Sequence, residues 1–169
     1  MLQYAWTCRC CGRQQSGLPL NFAVPEPDPW RAVPEDHRGS AGNKLDENLC
    51  VIGNKDFFIR GCVEIPIVGL DEKFIWGVWA SLSESNFKRV LDLWSADVTG
   101  EPPMFGWLCN NVSQYPPTAG LKTNVHLRNN NLRPTIMIEP TDHPFAVDQR
   151  EGITLEKGER LVSAMMPHH

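Results

Sequence analysis

The run DFFIRGCVEIPIVG, residues 56–69, constrains the fold of this chain more than any other stretch. In an extended backbone Phe57, Ile59, Gly61, Val63, Ile65 and Ile67 fall on one side, and Phe58, Arg60, Cys62, Glu64 and Pro66 on the other. A period of two held over that length demands a strand with an apolar face to bury. After the polar GLDEK, the run FIWGVWASL repeats the pattern: Phe74, Trp76, Val78, Ala80 and Leu82 share one face, and Ile75, Gly77, Trp79 and Ser81 the other. Two such runs around a short polar loop predict an antiparallel hairpin of residues 55–68 and 73–82. Next comes a helix over about 84–96. Ser83 is its N-cap, and Phe87, Val90, Leu91 and Trp94 form its apolar stripe, expected to pack on Ile59, Val63, Trp76 and Val78.

Shorter signals extend the pattern. NLCVIG (48–53) and MFGWLCN (104–110) read as strands, and LKTNVHLRNN with LRPTIMIEP as a second hairpin about Asn129–Asn131. Thr141 or Asp142 caps a helix that has Pro144 in its first turn and stops at Gly152. TLEKGERLVSAMM closes the chain with an amphipathic helix, and His168 and His169 read as a disordered end. The expected fold is α+β, a single curled antiparallel sheet with two or three helices on one face. One domain spans 1–169: a cysteine-knuckle and irregular arm (1–47), then the α+β core (48–166).

Composition excludes several classes. The chain has 169 residues, 41% of them hydrophobic, with a net charge of -4. An acidic chain with a pI near 5.7 does not steer toward nucleic acid or anionic lipid. No apolar run is long enough to span a bilayer, and the start lacks a signal-peptide pattern, so the cytoplasm is expected. No glycine-rich phosphate loop and no GxSxG motif is present. Thirteen glycines and fourteen prolines point to many turns, and six tryptophans to a packed core or an apolar groove.

The N-terminal TCRCCGRQ places Cys8 and Cys11 two residues apart, with Gly12 free to turn the chain back beneath them. Such spacing suits a zinc knuckle, and a structural Zn2+ held by Cys8 and Cys11 needs two more ligands. Cys50 is the first choice and His37 the second. A reduced, empty cysteine cluster is an equal alternative. A redox dithiol fits less well, because GRQQSGLPL does not read as the helix that would lower a thiol pKa.

The pieces CRCCG (8–12), GLPL (17–20), LCVIGNKDFFIRGCVEIPI (49–67), FIWGVWASLSESNF (74–87), PPMFGWLCN (102–110), LKTNVHLRN (121–129) and IEPTDHPFAVDQREGITL (138–155) run in one order through the chain. Together they resemble the uncharacterised bacterial family catalogued as domain of unknown function 2199. The resemblance implies a small single-domain bacterial protein and carries no mechanism. The family's C-x-x-C-G pattern falls here on Cys8, Cys11 and Gly12, with Cys10 as an additional thiol.

Function reads first as binding or interaction. Arg60 and Glu64 share a strand face with Cys62, Trp79 lies on the neighbouring strand, and His126 alternates with Asn124 and Arg128. Arg60, Trp79 and His126 are the expected groove for an anionic group, held by a guanidinium fork, or for an unknown protein partner. The alternative is a small enzyme with a polar site around Arg60, His126 and His143. His143 beside Asp142 suggests a base, but a helix cap is the simpler use of that pair.

Overall fold

The computed structural model describes residues 1–166, so the terminal histidines lie outside the described residues. Strands β1 (Leu2–Thr7) and β2 (Gln14–Leu18) form an antiparallel hairpin whose loop is the cysteine knuckle. Strand β3 (Asn21–Ala23) follows, then 3-10 turns at Asp28–Ala32 and Glu35–His37. The core comprises β4 (Lys44–Leu45), β5 (Leu49–Ile52), β6 (Asp56–Pro66), β7 (Lys73–Leu82), α1 (Glu84–Leu93), β8 (Met104–Leu108), β9 (Lys122–His126), β10 (Thr135–Ile138), α2 (Pro144–Glu151) and α3 (Leu155–Met165).

The two long alternating runs pair as their sequence predicts. Strands β6 and β7 are antiparallel in unbroken register from Phe57↔Leu82 to Pro66↔Lys73. The second hairpin also forms: β9 and β10 pair antiparallel, and Asn130 and Asn131 turn the chain with positive φ.

The sheet is not the expected single curled layer with helices on one face. Strand β6 pairs with β7 on one side and with β10 on the other, so β6-β7-β8-β9-β10 closes into a five-stranded barrel within an eight-stranded sheet. Each of these strands runs antiparallel to the one before it. With an odd number, the first and last must run the same way, and the closing contact, Thr135 against Cys62, is indeed parallel. Alternation specifies which side chains point inward; it does not specify whether the inward face meets a covering layer or itself. Here it meets itself. Ile59, Val63 and Ile65 share the lumen with Trp76, Val78, Met104, Leu108, Val125 and Ile136.

Two glycines permit the closure. A Cβ on Gly61 would stand 2.8 Å from Ile136 Cδ1 and from the Pro134 carbonyl oxygen, and one on Gly106 would stand 2.5 Å from the Ser81 carbonyl oxygen. The helices meet opposite ends of β6. Helix α1 stacks Phe87 on Phe57 at 5.0 Å, while the α2–α3 junction bonds to the other end through Ile153 N–H to Pro66 O. Phe145 of α2 and Leu161 and Val162 of α3 complete that end of the core with Trp6 and Leu18.

The proline-rich arm is ordered by a second, smaller core on the outside of the barrel. Trp30, Val33, Cys50, Phe58 and Trp79 pack there. Strand β7 is therefore covered on both faces, and Trp79 is fully buried. Asn110 ties the layers together: its Oδ1 accepts from Trp79 N–H at 2.8 Å and its Nδ2 donates to Glu26 O at 2.9 Å. Among the described residues no helix is long and apolar enough to cross a membrane.

Candidate functional site

The outward face of β6 carries Arg60, Cys62 and Glu64, and this is where the charges gather. Arg60 stands opposite Trp79 in the ladder, its guanidinium 5.9 Å from the indole centroid. The ring, wholly buried, is the floor beneath the arginine and not a wall open to a ligand. Arg60 Nη1 donates weakly to Glu47 O at 3.4 Å, and its Nε has no hydrogen-bond partner. Burial first, and the positive charge of Arg133 second, depress the Arg60 pKa.

Two further arginines come from the β9–β10 turn. Arg128 Nε donates to Arg133 O at 2.6 Å, which folds the turn onto itself, and Arg133 Nε donates to Asn48 Oδ1 at 3.1 Å. Arg128 Nη1 reaches Glu64 Oε1 at 2.8 Å, and Lys73 Nζ reaches Glu64 Oε2 at 2.7 Å. Burial alone would raise the Glu64 pKa, but these two cations hold it below the usual carboxylate range. Glu64 is thus already shared by a lysine and an arginine, and Arg60 and Arg133 face each other as like charges.

Beside the arginines lies a cavity of about 160 Å³. Val90, Leu93, Trp94, Leu127 and Leu132 supply its apolar wall, and Asn48, Arg128 and Arg133 its polar rim. Trp94 and Leu91 do not belong to the buried stripe expected of the helix: they are 44% and 48% exposed. Helix α1 plugs one end of the barrel with Phe87 and Val90, and the stripe then runs past the core into solvent. Leu132 is 56% exposed on the opposite lip.

The structure brings Arg60 and Trp79 together. His126 is exposed at the end of β9, two strands away from Cys62 across β10. His143 N-caps α2: its Nδ1 accepts from Phe145 N–H at 3.1 Å, and its Nε2 lies 3.2 Å from Pro117 O. Both ring nitrogens are engaged in shaping the chain. Cys50 lies in the second core, where burial pushes its thiol up to about 12. His37 sits in an exposed 3-10 turn, its carbonyl accepting from Ser40 and Asn43. Cys8 and Cys11 stay together at the knuckle, and among the described residues no group of three His, Cys, Asp or Glu side chains is placed to hold a metal ion.

A family described as an uncharacterised protein conserved in bacteria, DUF2199, matches residues 7–153. The chain belongs to this family. No curated protein and no solved structure matches it. The DUF2199 span takes in the knuckle, all five barrel strands, the arginines and the cavity, and ends before α3. Sequence reading of this DUF2199 chain singled out Arg60, passed over Arg133 and placed Trp94 in the buried stripe of the helix instead of on a cavity wall. The available signal was RNNNLRP, an arginine on each side of a turn, which a hairpin must bring back to one end of the sheet.

Proposed function

We propose that this protein is a binding module whose groove takes a small ligand with a carboxylate at one end and an apolar body at the other. The observation carrying this reading is the pair Arg128 and Arg133 on the rim of an apolar cavity, with Arg60 near enough to feel the charge of Arg133 and, among the described residues, Glu64 as the one carboxylate bonded to any of the three. Arginine is suited to this task because its planar fork matches a carboxylate and stays charged when partly dehydrated. An otherwise acidic protein keeps such a cluster at a cost in like-charge repulsion, which an anion would relieve. Trp94 and Leu132 would cover the apolar body. The six free cysteines suit a reducing compartment, which supports the bacterial cytoplasm as its setting.

Calorimetric titration with a series of carboxylates of increasing apolar length, each matched to its uncharged amide, tests the reading. Affinity should grow with apolar length, and the amides should bind far more weakly. Arg133→Ala should weaken binding by about 10- to 100-fold, the worth of a charged hydrogen bond. Equal binding of acids and amides, or an unchanged affinity in Arg133→Ala, would refute it.

A further inference from the structure

The outer face of β8, β9 and β10 lies apart from the arginine groove. Phe105 and Trp107 of β8 and Met137 of β10 point outward there and are exposed. Phe105 stands opposite Asn124, and Asn124 opposite Met137, so the three form one row across the strands. Trp107 stands opposite Lys122, and the ladder continues with Glu139 N–H donating to Lys122 O at 2.9 Å, so Trp107, Lys122 and Glu139 form the next row. The two aromatic rings meet edge to face with centroids 5.2 Å apart. Lys122 Nζ lies over the Trp107 ring, 5.9 Å from its centroid. The cation is thereby carried to the β8 flank of the face, while Glu139 puts its carboxylate on the β10 flank.

The edge of this layer beyond β10 is closed, and its face is open. Gln149 of α2 takes the place of a neighbouring strand: its Oε1 accepts from Ile138 N–H at 2.8 Å and its Nε2 donates to Ile136 O at 2.8 Å. The same Nε2 lies 3.7 Å from Met137 Sδ, which sets the helix at the rim of the apolar row. A partner therefore cannot extend the sheet past β10 and must lie on the face. Contiguous exposed apolar side chains of this kind mark an interaction surface.

The charges decide which partner fits. A uniformly acidic surface would set a like charge on Glu139, and a uniformly basic one on Lys122. The face carries one of each sign on opposite flanks, and its own two-fold image carries them exchanged. A two-fold axis along β9 lays β10 of a second copy over β8 of the first, row on row. Phe105 then meets Met137 of the second copy as a sulfur–aromatic pair, and Lys122, leaning over Trp107, meets Glu139 of the second copy. The two lysines leave the axis in opposite directions, and the two Asn124 side chains sit on it.

We propose that the β8–β10 face binds a second copy of this chain, giving an isologous dimer of two barrels packed sheet on sheet. Every contact occurs twice. The convex outside of the barrel limits the area, which makes the association weak and reversible.

Sedimentation velocity of the untagged full chain over a wide concentration range tests the interface. The mass should rise from one chain of 19.1 kDa toward two as concentration increases. Trp107→Ala should weaken association by about 10- to 100-fold, as a central aromatic contact. Lys122→Glu and Glu139→Lys, each alone, should weaken it by about 100-fold, because like charges then meet twice. Mixed in equal amounts, these two variants should associate with each other, and the chain carrying both changes should dimerise again; a misfolded variant would do neither. Monomers at every concentration would overturn the proposal, as would dimers indifferent to either charge reversal or a mixture of the two variants that stays monomeric. A monomer whose tryptophan fluorescence is quenched by oligothymidylate, with the quenching lost in Trp107→Ala, would overturn it too and mark the face as a base-stacking platform.

Discussion

Alanine at Gly158 should stabilise the protein. Gly158 lies in the first turns of α3, where its N–H donates to Thr154 O at 3.1 Å, and it is buried. A Cβ there would meet Ile153 Cδ1 and Leu18 Cδ2 at 3.9 Å, ordinary van der Waals distances, with nothing closer. Its φ lies outside the left-handed region, so the backbone accepts a side chain without strain. Alanine in place of glycine in a helix interior is worth about 0.8–1.0 kcal/mol. The added methyl removes about one CH₂ equivalent from water, about 0.8 kcal/mol at most. The sum is about 1–2 kcal/mol, which for a chain of this size raises Tm by about 2–8 °C. Urea unfolding followed by tryptophan fluorescence should show a higher midpoint with an unchanged slope. A lowered midpoint would refute the reasoning, since it would mean that the space between α3, Ile153 and Leu18 is already filled.

Gly106→Ala should act in the opposite direction, losing about 1–3 kcal/mol or more in the same assay, because the new Cβ meets a strand carbonyl that cannot swing away. Phe87→Ala should cost about 3–5 kcal/mol, whereas Trp94→Ala, on the same helix face but half exposed, should leave stability within about 0.5 kcal/mol and weaken carboxylate binding instead. Lys157→Met should lose about 1–3 kcal/mol in urea unfolding, since buried Asp148 would keep, among the described residues, only the Tyr115 hydroxyl, now 2.7 Å from its Oδ2. Glu64 is held below its ordinary value of 4.5, so the stability it contributes is present above that pH and is lost as pH falls through its folded value. The gap between wild type and Glu64→Gln in urea midpoints should therefore be open at pH 7 and narrow steadily as pH falls below 4.5; a gap that does not change with pH would refute the assignment.

Local pattern was legible where it is carried by adjacent residues. The β6–β7 pairing, the α1 cap at Ser83, the asparagine turn before β10 and the stop at Gly152 each follow from a few residues whose preferences agree. The N-cap of α2 was misplaced by one or two residues, because Thr141 and Asp142 have the usual capping side chains, but the Nδ1 of His143 makes the bond. The arm at 13–45 read as irregular because its order comes from Trp30 and Val33 joining Cys50, Phe58 and Trp79 in a second core, residues far apart in the chain.

The sequence by itself determined the strands from β5 to β10, the inward faces of β6 and β7 and the cysteine spacing, because those depend on the two-residue period of the backbone and on the order of residues along it. Closure of the barrel, the exposure of Trp94, the meeting of Arg60 with Arg133 and the docking of the knuckle on α3 were decided only in three dimensions. Each rests on two segments meeting across a space that no local period encodes: β10 reaching β6, α1 outrunning the barrel end, a turn folding onto a neighbouring strand, and α3 laying Ser163 against a loop from the other end of the chain.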